Sequence, residues 1–300
     1  MSIVIIGSVA IDSIKTPSGQ ADEILGGSAT YACLAASIFS PVRLLSVAGE
    51  DFPRQYLKKF KRRNIDISGL KISEGTTFRW TGHYGENLNE ARTMSVCPEK
   101  LAADSMEIPA HYNETDYLFL ANTDPEVQDW LLKRIQPKKL VVLDTMNLWI
   151  RNKLPALKKL LIKADILFIN ETEARMLSDE QNLFSAAKKI IRNGPEIVVI
   201  KKGEHGAFLM SKKDFFAVPA YPMEKVKDPT GAGDSFAGGF LGYLATRKGG
   251  PTCGNLRTAT VMGAVTASFT VEDFGTRRLE KTDRSAVEKR FHEMREILRF

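Results

Sequence analysis

The stretch Asp228-Pro229-Thr230-Gly231-Ala232-Gly233-Asp234-Ser235-Phe236, followed at once by Ala237-Gly238-Gly239-Phe240-Leu241, constrains this chain more than any other. Three small residues interrupt the backbone, and an apolar helical pattern begins directly after them. A glycine-rich turn feeding a helix N-terminus leaves several N–H groups unpaired and aimed at one spot, which is an anion site. Asp234 puts a carboxylate at that positive end. A base beside an anion hole is what phosphoryl transfer to a hydroxyl needs. In that role Asp234 takes the proton of an acceptor hydroxyl. The N–H groups of Gly231, Ala232 and Gly233 hold the charge that grows on the transferred group, and larger side chains would block its oxygens. Two rival motifs fail on spacing: a dinucleotide fingerprint needs glycine where Phe236 stands, and a hydrolase elbow around Ser235 needs glycine where Ala237 stands. A glycine turn that merely opens a buried helix is the remaining alternative.

The rest of the chain alternates strands with helices. Apolar runs at 3–6, 43–47, 117–121, 140–143, 166–169 and 197–200 predict buried parallel strands. Helical patterns lie at 29–39, 54–63, 126–135, 153–162 and 182–192, with three more near 232–246, 255–269 and 283–297. This rhythm predicts one α/β domain over 1–300, its mostly parallel sheet covered by helices on both faces. Two segments break it. Residues 13–24 are polar and turn-rich, whereas residues 76–97 alternate around Phe78, Trp80, Gly82 and Tyr84 and predict an antiparallel hairpin. Paired, the two pieces make a small sheet off the main body, either a lid or a dimer edge.

Composition removes several classes. The net charge of +6 is scattered, and its densest runs, Lys58-Lys59 and Lys61-Arg62-Arg63, are interleaved with Leu57 and Phe60. They read as the wet face of an amphipathic helix, so no nucleic-acid partner is expected. Three distant cysteines without a Cys-x-x-Cys, and four dispersed histidines, give no zinc site and point to a reducing compartment. Gly7 and Asp12 cut short the apolar N-terminus, and nothing approaches the ~20 apolar residues of a membrane span. A cytoplasmic protein with no membrane partner is expected.

The signature at 228–236 resembles that of the ribokinase/PfkB family of small-molecule kinases, and the resemblance extends over nearly the whole chain. It implies a three-layer ribokinase-like fold with a small β lid, and an ATP-dependent phosphotransferase using Mg²⁺. Asn170 and Glu173 match an Asn-x-x-Glu pair that organises Mg²⁺, partly through water, and the γ-phosphate. An N-cap asparagine with a glutamate near the helix start is the plainer alternative. Asp12, Gly26 and Gly27 resemble the family's acceptor-binding aspartate and Gly-Gly motif. Tyr31 stands where many members carry an asparagine that binds acceptor hydroxyls, which leaves the acceptor open. The run Lys201 to Gly206 resembles the Gly-x-x-Gly turn beside the nucleotide, placing Lys201, Gly203 and Gly206 there, although a plain hairpin turn fits equally. Asp228 and Thr230 match positions that hold a monovalent cation in many relatives, so a K⁺ site is open. Asp144 ends its strand facing the same crevice. The expected acceptor is a sugar or sugar-like alcohol. The alternatives are a nucleoside kinase and a non-catalytic regulator binding sugar or nucleotide, and a homodimer through the lid is a further option.

Overall fold

The computed structural model describes residues 1–97 and 106–299. Its strands are β1 (Ile3–Ile6), β2 (Ala10–Thr16), β3 (Gly19–Gly26), β4 (Val42–Gly49), β5 (Ile65–Ser73), β6 (Phe78–Tyr84) and β7 (Ala91–Cys97). They continue as β8 (Tyr117–Leu120), β9 (Leu140–Asp144), β10 (Ile166–Asn170), β11 (Ile197–Lys201), β12 (Ala207–Ser211) and β13 (Phe215–Val218). The helices are α1 (Ser28–Ala36), α2 (Arg54–Arg62), α3 (Pro125–Leu132), α4 (Asn147–Asn152) and α5 (Leu154–Leu161). After them come α6 (Glu171–Ser178), α7 (Leu183–Arg192), α8 (Ala232–Leu244), α9 (Cys253–Thr270) and α10 (Arg284–Ile297).

Among the described residues the main sheet runs β13-β12-β11-β10-β9-β8-β1-β4-β5. The six strands expected from apolar runs are neighbours at its centre, all parallel. Their side chains alternate between two cores, which is why the runs are apolar without a break. Ile3, Ile5, Phe119 and Phe168 face a core completed by α1, α2, α8, α9 and α10. Val4, Ile6, Leu120 and Ile169 face the other, completed by α3, α4, α5, α6 and α7. Three strands at the sheet's ends were not in the expected set. β5 is an edge strand that alternates with Asp66, Ser68 and Lys71, and β12 and β13 are antiparallel additions at the opposite edge. The basic run is the exposed face of α2, whose Tyr56 and Phe60 are buried.

A second sheet has the order β3-β2-β6-β7. The expected hairpin is β6 with β7, paired antiparallel. The segment 13–24 differs from expectation: it belongs to a β2–β3 hairpin that begins at Ala10, and β2 pairs in parallel with β6. Asp12 therefore lies within β2, opposite Ile24 and Trp80, and not at the end of β1.

The helix that carries the signature is set by close packing. A β-carbon at Gly238 would lie 2.3 Å from the Ala32 carbonyl oxygen, and one at Gly242 would lie 2.7 Å from Ala36 Cα. Glycine at both positions lets α8 rest directly on the backbone of α1. We expect Gly238→Ala to force the two helices apart, lowering unfolding stability by about 1–3 kcal/mol in a denaturant titration. An unchanged midpoint would mean that the contact yields without cost.

Candidate active site

The parallel strands bring their C-terminal ends to one rim, where ligands of open α/β sheets bind. Three of them end in polar residues there: β9 in Asp144, β10 in Asn170 and β11 in Lys201. The turn into α8 meets the same rim. Gly231 is its N-cap, with φ of 74°, a left-handed conformation that favours glycine. A β-carbon on Gly231 would also strike the Tyr31 ring at 2.3 Å. Gly231 to Asp234 all keep part of their surface open to the crevice. The Ala232 N–H is engaged locally by the Pro229 carbonyl at 3.2 Å, while the Ser235 N–H returns to Gly231 at 2.8 Å.

Lys201 Nζ donates to Asp144 Oδ2 at 2.7 Å, reaching across β10, and both side chains are largely buried. Burial works against the lysine's charge, but Asp144, Asp234 and Glu173 outweigh it and hold the ammonium above the ordinary lysine range. Burial, followed by Asp144, pushes Asp234 up to about 7, with Lys201 opposing. Glu173 is pushed up to about 7 by burial against the pull of Lys201. One buried cation thus faces three carboxylates. Asn170 and Glu173 form a capping box: Asn170 N–H donates to Glu173 Oε2 at 2.9 Å, and Glu173 N–H donates to Asn170 Oδ1 at 2.8 Å. The plainer alternative is therefore realised, and it also orients both side chains at the rim.

On the acceptor side Asp12 is buried, and its Oδ1 has no hydrogen-bond partner among the described residues. Burial and the neighbouring Asp228 raise it to about 8, against the Gly27 N–H. Gly26 leaves room for this carboxyl, because a β-carbon there would overlap Asp12 Oδ2 at 1.8 Å. Gly27 caps α1 with φ of 98°, where an added β-carbon would meet Ser8 O at 2.5 Å. The Tyr31 hydroxyl is likewise buried without a partner. Burial, then Asp228 and Asp12, keep it protonated well above the ordinary tyrosine range.

The second sheet reaches both ends of this crevice. Thr230 Oγ1 donates to the Tyr84 hydroxyl at 3.1 Å. Asn89, in the β6–β7 turn, lies against Gly203, where a β-carbon would sit 1.8 Å from its Oδ1. Trp80 packs edge-to-face on Tyr84 at 6.5 Å and covers Gly82, so these aromatics pack within the sheet. Gly206 turns into β12 with φ of 82° beside the Val218 carbonyl. Sequence reasoning missed Asn89, Ser8 and Ser28. The two serines clasp the start of α1, each N–H donating to the other's hydroxyl, at 3.2 Å (Ser8) and 3.0 Å (Ser28).

The donors fit Mg²⁺, a hard ion that usually keeps several waters and takes few protein ligands. Asn170 and Glu173 present oxygens beside an excess of buried carboxylate, and they would hold it. Potassium fits less well. Asp228 accepts the N–H groups of Thr230 at 2.9 Å and Gly275 at 2.8 Å, and Thr230 Oγ1 is taken by Tyr84. These oxygens keep lone pairs but already take part in local hydrogen bonds, and potassium enters no step below.

The description of the pfkB family of carbohydrate kinases matches residues 1–283. The chain belongs to this family. It is accordingly an ATP-dependent kinase. A cytidine kinase from Thermococcus kodakarensis is 32% identical over 254 residues, covering 82% of this chain and 90% of that protein. A Burkholderia thailandensis nucleoside kinase, solved with inosine, superposes with a TM-score of 0.78 at 20% identity and covers 97% of each chain. A Vibrio cholerae fructokinase, solved with fructose, ADP and potassium, gives 0.76 at 17% identity, covering 97% of this chain and 98% of that one. These neighbours share the ribokinase-like fold. No helix among the described residues is long and apolar enough to cross a membrane.

The family site carries a stability consequence. Asp12, Glu173 and Asp234 hold protons more tightly when folded than the usual carboxylate value of ~4 in an open chain. Between pH 4 and 8 the folded state is the one that keeps those protons, so stability falls as pH rises. We expect the melting temperature to drop between about pH 5 and about pH 8. Asp12→Asn should drop less steeply. Parallel curves for the two proteins would exclude Asp12 as a source of the slope.

Proposed function

We propose that this kinase phosphorylates the primary hydroxyl of a nucleoside, with Asp234 as general base. The observation that carries the site is the buried Asp12 carboxyl. Its Oδ1 is buried without a partner, as is the Tyr31 hydroxyl, whose charge environment includes Asp12; Gly26 and Gly27 leave room beside the carboxyl, which senses the charge of Asp234. Such buried groups are expensive to leave unpaired and suit the hydroxyls of a sugar ring. The nucleoside class is supported by the cytidine kinase related over most of both chains. A free sugar is the second reading. It is favoured by Trp80 and Tyr84, which pack edge-to-face on each other, with Tyr84 buried and so not free to stack on a base.

In this scheme ATP lies along the crevice with its nucleoside end toward the turn of Gly203 and Gly206, which follows Lys201. Its γ-phosphoryl group meets the turn Gly231-Ala232-Gly233. The acceptor is held by Asp12, by the backbone at Gly26-Gly27 and by Tyr31. Asp234 removes the hydroxyl proton as the new P–O bond forms and the bond to the β-phosphate oxygen breaks. Asn170 and Glu173 would hold magnesium, which would supply charge neutralisation on the phosphates. The second sheet acts as a lid that excludes water, so that phosphate goes to the acceptor. Three free cysteines are consistent with a cytoplasmic setting, and a dimer through the β7 edge, where Met94 and Val96 are exposed, extends the same reading.

Asp234 must be ionised to act, and the carboxylate fraction grows as pH rises through its value of about 7. We expect kcat/KM to climb with pH and level off above about 7. Asp234→Asn should keep nucleotide binding and lose about 10²–10⁴ in turnover. Near-normal turnover in that variant would remove Asp234 as the base. ADP release with Mg-ATP over cytidine, other nucleosides, ribose and fructose decides the acceptor. Turnover of nucleosides and not of free sugars is the expected result, and the opposite pattern establishes the second reading.

A further inference from the structure

We propose that Lys201 is a catalytic residue whose ammonium, held in place by Asp144, touches the phosphoryl group during transfer. The inference rests on the phosphotransfer reading above and adds a group that the signature does not contain. Lys201 ends β11 directly before the turn that holds Gly203, yet its side chain points elsewhere. A β-carbon added to Gly233 would lie 3.1 Å from Nζ, so the ammonium stands against the anion turn, one residue from Asp234. Gly233 is thereby explained: any side chain there would crowd the lysine.

The pairing with Asp144 does not exhaust Lys201. An ammonium has three N–H donors. Asp144 Oδ2 takes one at 2.7 Å, and no other hydrogen-bond partner meets Nζ among the described residues. Two donors are left for a ligand. A purely structural ion pair is a poor account of this arrangement, because buried pairs are often no more stable than an apolar replacement. A fixed cation beside the anion turn has a direct use. The transferring phosphoryl group spreads negative charge over its three equatorial oxygens, and preorganised donors in a water-poor site stabilise it most. As a carboxylate, Asp144 would repel that group and not bind it. It is a positioning residue, acting through Lys201 from two strands away in the sheet.

The test separates touching phosphate from filling space. The double variant Asp144→Asn/Lys201→Met removes one charge of each sign, so the opposing pulls on Asp234 and Glu173 are lost together, and kcat is read on the plateau of the pH profile, where Asp234 is ionised in both proteins. The variant is compared with wild type in the full chain, with Mg-ATP and the acceptor from the screen above. The readouts are kcat, the Kd of ADP, and the tightening of ADP when aluminium fluoride and acceptor complete a mimic of the transferring phosphoryl group. We expect ADP to bind within about threefold of wild type while kcat falls about 10²–10³ and the aluminium fluoride tightening is lost. Asp144→Asn alone, which keeps the lysine but frees it, should lose about ten- to a hundredfold in kcat. A double variant with wild-type kcat and tightening overturns the proposal and leaves the kinase reading standing. A loss in kcat traced wholly to weaker ADP also overturns it, because Lys201 would then be a nucleotide anchor. A wild-type protein that shows neither turnover nor tightening sinks both readings together.

Discussion

The contact on which the site depends is the one between α8 and α1. Helix α8 brings the anion turn and Asp234 to the rim, while α1 carries Gly27 and Tyr31 at its own first turns. On the scheme proposed above, the two halves of the reaction sit on two helices, and their relative position decides whether an acceptor hydroxyl can meet a phosphoryl group. Gly238 and Gly242 let the backbones touch, and Gly231 lets the turn rest on the Tyr31 ring. At Gly238 and Gly242 the spacing is set by backbone against backbone, a contact with little room to give in a close-packed interior. Tolerances of a few tenths of an ångström at the reacting atoms are then plausible products of the fold itself.

The second constraint is electrostatic, and it opposes the first. Packing would be easier without Asp12, Asp144, Glu173, Asp228 and Asp234 near one crevice, and burial raises all five above the ordinary carboxylate range. Lys201 is the cation that opposes this rise at Glu173 and Asp234. An apo site with this imbalance binds cations and donors readily, because each ligand that arrives relieves charge already confined there. Magnesium and the hydroxyls of an acceptor are such ligands. The same imbalance repels the bare phosphates of ATP, which is a physical reason for the nucleotide to enter with its metal and for an anion turn and a lysine to face it.

Much of this was legible in the sequence because it rests on local rules. The six central strands are apolar on both faces, and the turn at 231–234 announces its helix by its glycines. β5 escaped because an edge strand need not be apolar, and Asp66, Ser68 and Lys71 give it the look of a loop. Residues 13–24 looked like turns for a related reason: β2 and β3 leave much of their polar surface open, and only pairing with β6 makes them a sheet. The Asn170–Glu173 spacing was readable as a pair, whereas its capping box is a statement about backbone N–H groups that spacing cannot make. Asp144 and Lys201 lie 57 residues apart, and their contact follows from strand order β9-β10-β11. No single-chain periodicity encodes such an order.

The second sheet ties these constraints together. Its own core is small, built on Ile14, Ala21, Ile24, Tyr84 and Phe274. Across the crevice it is held by the Thr230–Tyr84 hydrogen bond and by Asn89 against Gly203. A net hydrogen bond contributes about 1 kcal/mol, far below the stabilisation of the two large cores. One of these contacts falls beside the anion turn and the other on the nucleotide-side turn. Asp12 lies on β2, which pairs with β6, the strand that ends in Tyr84 and leads into the turn holding Asn89. On the scheme proposed above, the sheet that carries the acceptor's carboxylate is thus also the sheet that touches the turns at Thr230 and Gly203, and Thr16 and Ser18 tie it further to the carbonyls of Lys227 and Val226.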